Sequence, residues 1–230
     1  MRTNEAGGAA DGGADAPPLA SPPEPPSDCD RCPRLHAFLE VQREAHPSYF
    51  NRPVPSFGDP RARLLVAGMA PGLHGANATG RPFTGDGAGE FLYRALGEHG
   101  FARGTYARRP DDGLELVGAM ITNAVRCVPP QNRPTGLEAA TCRPFHAARL
   151  ATLPRLRVVL TLGKIAHDST VQALALRLKA HPFGHGRESE LEGGVVLLSS
   201  YHTSRYNVNT GRLTYAMFSE LMGRARELCG

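Results

Sequence analysis

The chain has 230 residues, 26 Lys and Arg against 22 Asp and Glu, and a formal net charge of +4. That length suits one domain with a full core plus a tail, and the aliphatic content is that of a globular chain. No apolar run approaches the ~20 residues of a membrane span, and no charged-then-apolar N-terminus marks a signal peptide, so we expect neither a membrane protein nor a secreted one.

In chain order, residues 1–28 form a Pro-, Gly- and Ala-rich region without aromatics, with Pro17-Pro18, Pro22-Pro23 and Pro25-Pro26. Such a composition cannot bury enough apolar area to offset its ordering entropy. We therefore expect a disordered tail over 1–28 and a single folded domain over 29–230. The tail sets Arg2 against five acids, a net of −4, so the remainder carries +8. A balance that basic favours a polyanionic partner.

A helix is expected over Leu35–Glu44, followed by an extended, proline-rich connection from His46 to Pro60. Strand one is Arg63–Ala67. It runs into GMAPGLHGANATGRPFTGD at 68–86, a loop with five glycines, two prolines and one carboxylate, Asp86. A loop this long is more often functional than idle, and its glycines let backbone approach closely. A helix follows over Asp86–His99 with Phe91, Leu92, Ala95 and Leu96 on one face. Strand two is Leu116–Thr122, ending in Asn123. The turn VPPQNRPTG contains Asn132 and leads to a capping-box helix that starts at Thr135 and is interrupted or kinked at Pro144. Strand three is Arg157–Leu162, with a helix over Lys164–Lys179. Strand four is Val195–Ser200, ending at Tyr201-His202-Thr203, and a last helix spans Thr210–Leu228.

Four alternations of strand and helix imply an α/β fold with a parallel sheet covered on both faces. Asp86, Asn123, Asn132 and His202 all follow strands. They therefore gather at the carboxyl edge of the sheet, where such folds bind ligands.

Five cysteines occur, and without a secretion signal they are expected as thiols or metal ligands. Cys29-x-x-Cys32 is half of a four-thiolate site. Cys127 and, after 14 intervening residues, Cys142 complete it. Thiolates alone leave zinc and an iron–sulfur cube both open, and four unrelated buried cysteines are the simpler reading. Cys229 is read as a bystander.

GMAPGLHGANATGRPFTGD at 68–86, ITNAVRCVPPQNRPT at 121–135, YHTSRYNVNTGRLT at 201–214 and the cysteines carry a resemblance. The chain resembles the uracil-DNA glycosylase superfamily, specifically its iron–sulfur-containing family 5 branch. The resemblance implies a three-layer α/β/α sandwich around a four-stranded parallel sheet. It implies hydrolysis of the bond joining uracil to deoxyribose in DNA, with hypoxanthine and xanthine as further candidate bases. It also implies a structural 4Fe–4S cluster on Cys29, Cys32, Cys127 and Cys142, zinc being the alternative. Double- or single-stranded DNA with deaminated bases would be the partner of a monomer that is cytoplasmic and active at the nucleoid.

Chemistry inside a duplex requires the base to be swung out and read in a pocket. Phe83 resembles the ring on which that base stacks, and His202 the histidine that bonds the base oxygen as charge develops. Asn123 is the natural reader of uracil, because one amide can accept from its N–H and donate to a neighbouring oxygen. Asn132 is a second amide near the same mouth. Ala70, Gly72 and His74 are assigned to the substrate, as is Arg205, which together with Tyr206 is also the candidate duplex wedge. The better-known branches carry an acid or amide soon after the first strand, where this chain reads Pro71-Gly72-Leu73-His74-Gly75. Asp86 is then expected to orient the water and counter the oxocarbenium charge. A helix N-cap is its simpler role, and His74 and Asn77 are the next groups considered for the water. A non-catalytic, metal-clipped module that binds DNA lesions is the alternative function.

Overall fold

The apolar run before the glycine-rich loop is a fully buried strand. The computed structural model describes residues 23–230, and the expected disorder of residues 1–22 lies outside them. Helix α1 is Pro33–Ala45; β1 is Phe57–Gly58, β2 Leu64–Gly68, α2 Ala76–Thr79 and α3 Gly87–Glu98. A two-stranded ribbon, β3 Ala102–Arg103 and β4 Glu115–Leu116, precedes β5, Ala119–Asn123. Then come α4 Gly136–Ala151, β6 Val158–Leu162, α5 Lys164–Ala173, β7 Glu188–Glu190, β8 Val196–Ser200, α6 Arg205–Asn209 and α7 Tyr215–Cys229.

The central sheet has six strands in the order β1-β5-β2-β6-β8-β7. Its inner four are parallel, as expected, but β1 and β7 add antiparallel edges. These two edge strands are only two and three residues long and carry no apolar alternation, so sequence period could not reveal them. Short, partly charged edges also discourage pairing with other chains.

Side-chain alternation divides the core into two faces. Leu64, Val66, Ile121, Leu160 and Leu198 point into the layer built on α3 and α7. Leu65, Met120, Val159 and Leu197 point the other way, onto Leu150 of α4 and Val171 of α5. The sheet is thus sandwiched between helices, and the order of strand addition reverses beside β2, with β5 on one side and β6 and β8 on the other. Loops leaving β2 and β6 therefore part toward opposite faces and open a crevice at their carboxyl ends.

Four other expectations are corrected. Helix α4 runs through Pro144 without a break, held by the Thr135 capping box and by buried Phe145, His146 and Leu150. Helix α5 stops at Ala173 rather than Lys179, and Ala175 just beyond it adopts φ +57°. The last helix, α7, begins at Tyr215 rather than Thr210, and the short helix α6 precedes it, with Gly211 at φ +70° between the two. Packed structure also begins before Cys29. Glu24 bridges Arg126 and Arg149, each at 2.6 Å, and accepts from the Ser56 amide at 3.1 Å. The composition of 1–28 conceals this one acid with a buried partner.

Candidate active site

The loops leaving β2, β5, β6 and β8 surround a cavity of about 960 Å³. It is lined by Ala70, Gly72, His74, Phe83, Asp86, Asn123, Asn132, His202 and Arg205, so every substrate-facing residue expected from the sequence reaches it. Each arrives by a local cause. Asn123 ends β5, in register with Gly68 at the end of β2. A Cβ on Gly68 would stand 2.5 Å from Asn123 Oδ1 and 2.7 Å from the Phe83 ring. Glycine there is what allows amide and ring to share the end of the strand.

Asp86 caps α3 and also reaches the cavity. Oδ1 accepts from the amides of Ala88 and Gly89 at 3.1 and 3.4 Å, capping α3. Oδ2 lies against Gly72 and Gly75, where a Cβ would stand 3.1 and 2.5 Å away. That second oxygen has no hydrogen-bond partner among the described residues and belongs to the cavity wall. Cap and open carboxylate oxygen coexist because a carboxylate has lone pairs on both oxygens.

His202 follows β8, its carbonyl accepting from Asn207 Nδ2 at 2.8 Å. Its ring lies 5.9 Å from that of Phe83, at an interplanar angle of 29°. Burial holds the imidazole pKa below the ordinary histidine value, while the Asp86 charge pulls it back up. Desolvation wins, so the ring is neutral at pH 7 and keeps one N–H to donate. Phe83 is 7 % exposed and adopts φ +54°.

The remaining expectations divide. His74 is exposed on the cavity rim and its Nδ1 is bonded to the Tyr49 hydroxyl at 3.0 Å. Asn132 is exposed at the mouth, with φ +55°. Asn77, a fallback for the water, is corrected: it is fully buried behind the loop and donates to Asn51 Oδ1 at 2.8 Å. Tyr206 is 72 % exposed beside Arg205. Arg133, Lys164, Ile165 and Arg212 also line the cavity and were not singled out. Only a recognised strand-end loop could have signalled them.

Cys29, Cys32, Cys127 and Cys142 line a second, small cavity with Leu35, Arg126 and Phe145. None forms a disulfide. Burial first, and the neighbouring thiols next, push Cys32 up to about 11 and Cys127 higher still. As bare groups Cys32, Cys127 and Cys142 stay protonated, and a bound cation would favour their thiolates. The donor set and its shared cavity fit a thiolate-bound metal group, although no set of three His, Cys, Asp or Glu is gathered to single-ion spacing among the described residues. Cys229 is buried at the far end of α7. No described helix is long and apolar enough to cross a membrane.

Comparison with known proteins adds a separate line. A family model described as the uracil DNA glycosylase superfamily matches residues 55–226. The chain is 48 % identical to a type-5 uracil-DNA glycosylase of Thermus thermophilus, over 88 % of this chain and 94 % of that one. It is 41 % identical to the type-5 enzyme of Pyrobaculum aerophilum, covering 86 % and 88 % of the two chains. It is also 31 % identical to a type-4 uracil-DNA glycosylase of that organism, over 65 % of this chain and 63 % of that one.

Proposed function

The chain belongs to the uracil-DNA glycosylase superfamily, and from that membership we infer that it is a base-excision-repair hydrolase that excises uracil from DNA and leaves an abasic site. A silent lesion-binding module is not favoured, because it gives Asp86, Asn123 and His202 no reason to share a cavity. That convergence is the observation that carries the assignment of roles below.

The extruded uracil stacks on Phe83, a contact worth ~1–3 kcal/mol against the cost of unstacking. Asn123 accepts from the N–H of the base and donates to the adjacent oxygen. As the glycosidic bond lengthens, negative charge grows on the base, and neutral His202 donates to the oxygen that receives it. A fixed donor there stabilises the transition state more than the ground state. The open Oδ2 of Asp86 holds the water and faces the positive charge that develops on the sugar. Arg133, Lys164, Arg205 and Arg212 surround the mouth, suited to the phosphates on either side of the flipped nucleotide. Hypoxanthine and xanthine remain candidate further bases, and we place the protein as a monomer inside the cell, at its DNA.

Cys29, Cys32, Cys127 and Cys142 would hold a 4Fe–4S cluster, with zinc the alternative. The group would tie the segment before α1 to the start of the β5–α4 loop and to α4; its chemistry is structural, and no step of the excision passes through it.

Asp86→Ala and His202→Ala test the roles on a uracil-containing duplex, with cleavage at the resulting abasic site as readout. Each is expected to slow excision by about 10²–10³-fold while the fold persists. Full activity in both variants overturns the assignment.

A further inference from the structure

The geometry points to Asp112, Arg81 and Tyr106, none of which lines the cavity, as positioning residues that hold Phe83 in its base-stacking pose. The inference rests on the stacking role proposed above for Phe83.

Phe83 needs such support. A bulky residue at positive φ is uncommon, and its strain persists only where surroundings over-determine it. The surroundings here can be named. Arg81, two residues before Phe83, is 4 % exposed and pairs with Asp112 through two parallel bonds of 2.8 Å. The Asp112 side chain is 1 % exposed. Each of its oxygens also accepts a backbone amide, from Leu114 at 3.1 Å and from Ala107 at 2.9 Å. The carboxylate is thereby fixed from four directions. On the other side, Arg81 Nε donates to Thr84 Oγ1 at 2.7 Å, so the guanidinium grips the loop just past Phe83 as well.

Aromatic rings enclose the guanidinium. Phe57, Tyr93 and Tyr106 have their centroids 5.2, 5.3 and 5.7 Å from its carbon. Tyr93 and Tyr106 stack on each other at 4.5 Å. Their hydroxyls then reach the Phe83 turn from outside: Tyr93 donates to the Pro82 carbonyl at 2.7 Å, and Tyr106 to the Phe83 carbonyl at 3.1 Å. The turn is thus held at Arg81, Pro82, Phe83 and Thr84 in succession. The ring alone is left facing the cavity. Asp112 and Tyr106 come from the segment between β3 and β4, whose contribution to the enzyme is this grip.

The test is a double-mutant cycle on the full chain, read as the single-turnover rate of uracil excision from duplex DNA. Tyr106→Phe removes only the hydroxyl on the Phe83 carbonyl, and Asp112→Asn weakens the grip on Arg81. Each is expected to slow excision by about 10- to 100-fold, and each is expected to cost nothing further in a Phe83→Ala background. Losses that multiply undiminished in that background overturn the clamp, as does wild-type excision by Tyr106→Phe. A fully active Phe83→Ala chain removes the stacking role, and with it the clamp. An impaired Phe83→Ala carrying undiminished further losses removes the clamp alone. Where Asp112→Asn fails to fold, Tyr106→Phe carries the cycle, since it preserves the ring packing.

Discussion

The Oδ2 of Asp86 and the Cα of Gly75 are packed so closely that a methyl group on Gly75 would stand 2.5 Å from the oxygen. Gly75 is N-cap to the short helix α2, and its backbone is held by the Gly72 carbonyl at 3.2 Å. Carboxylate and glycine therefore form one unit, although 11 positions separate them in the chain. Gly75→Ala is expected to push the carboxylate out of the cavity and slow excision by about 10²-fold, approaching the loss in Asp86→Ala. Single-turnover kinetics beside a thermal melt measure this; wild-type kinetics in a folded Gly75→Ala chain contradict it.

His202 supplies a pH signature. Burial lowers its pKa from 6.5 and Asp86 opposes that shift, so the imidazole takes its second proton only below the ordinary histidine range. Removing the Asp86 charge in Asp86→Asn deletes the opposing influence, and the pKa is expected to fall further. Imidazole resonances followed by NMR titration of the two chains measure the direction. An upward shift in Asp86→Asn would contradict the electrostatic coupling.

Glu24 is expected to matter for stability far more than its place in a Pro-rich stretch suggests. Arg126 is fully buried, and Glu24, 29 % exposed, is its charged partner. Burial by itself would raise the Glu24 pKa, but Arg126 and the hydrogen bonds from Ser56 and Arg149 outweigh it and lower the pKa. The carboxylate's contribution is thus present above its unfolded pKa and lost as pH falls through the lower folded value. Glu24→Ala strands the buried guanidinium and should cost about 3 kcal/mol, the low end for a broken buried pair because Glu24 is partly solvated. Denaturant midpoints at neutral pH give the number, and the gap between the two chains is expected to narrow in acid.

The cysteine cavity makes a compositional prediction. Purified protein should carry iron and sulfide with a visible thiolate-to-iron absorbance. Cys127→Ser and Cys142→Ser should lose both and melt at lower temperature. Metal analysis of the same samples distinguishes the alternatives: a colourless protein with one zinc per chain replaces the cluster with zinc, and metal-free wild type that melts as the variants do removes the site.

Much of this was legible in the chain. The parallel strands are mainly apolar five-residue segments, buried almost throughout, a local pattern that arises because both faces of the sheet are covered. Asp86 was legible as a cap because a cap is a local relationship between a side chain and the next two or three amides. The segment between β3 and β4 was not legible as support for Phe83. Its aspartate, arginine and tyrosine partners lie up to 31 residues apart and follow no period.

By itself, then, the sequence determined the alternation of strands and helices, the loop after β2, the four candidate thiol ligands and the polar strand-end residues. All of these follow from short-range periodicity, turn chemistry and residue type. Tertiary structure decided which oxygen of Asp86 stays open, that Asn77 turns away from the cavity, that Glu24 belongs to the folded body, and what braces Phe83. Those outcomes depend on which distant surfaces meet when the core closes. Burial then imposes a partner on every charge it encloses, wherever in the chain that partner lies.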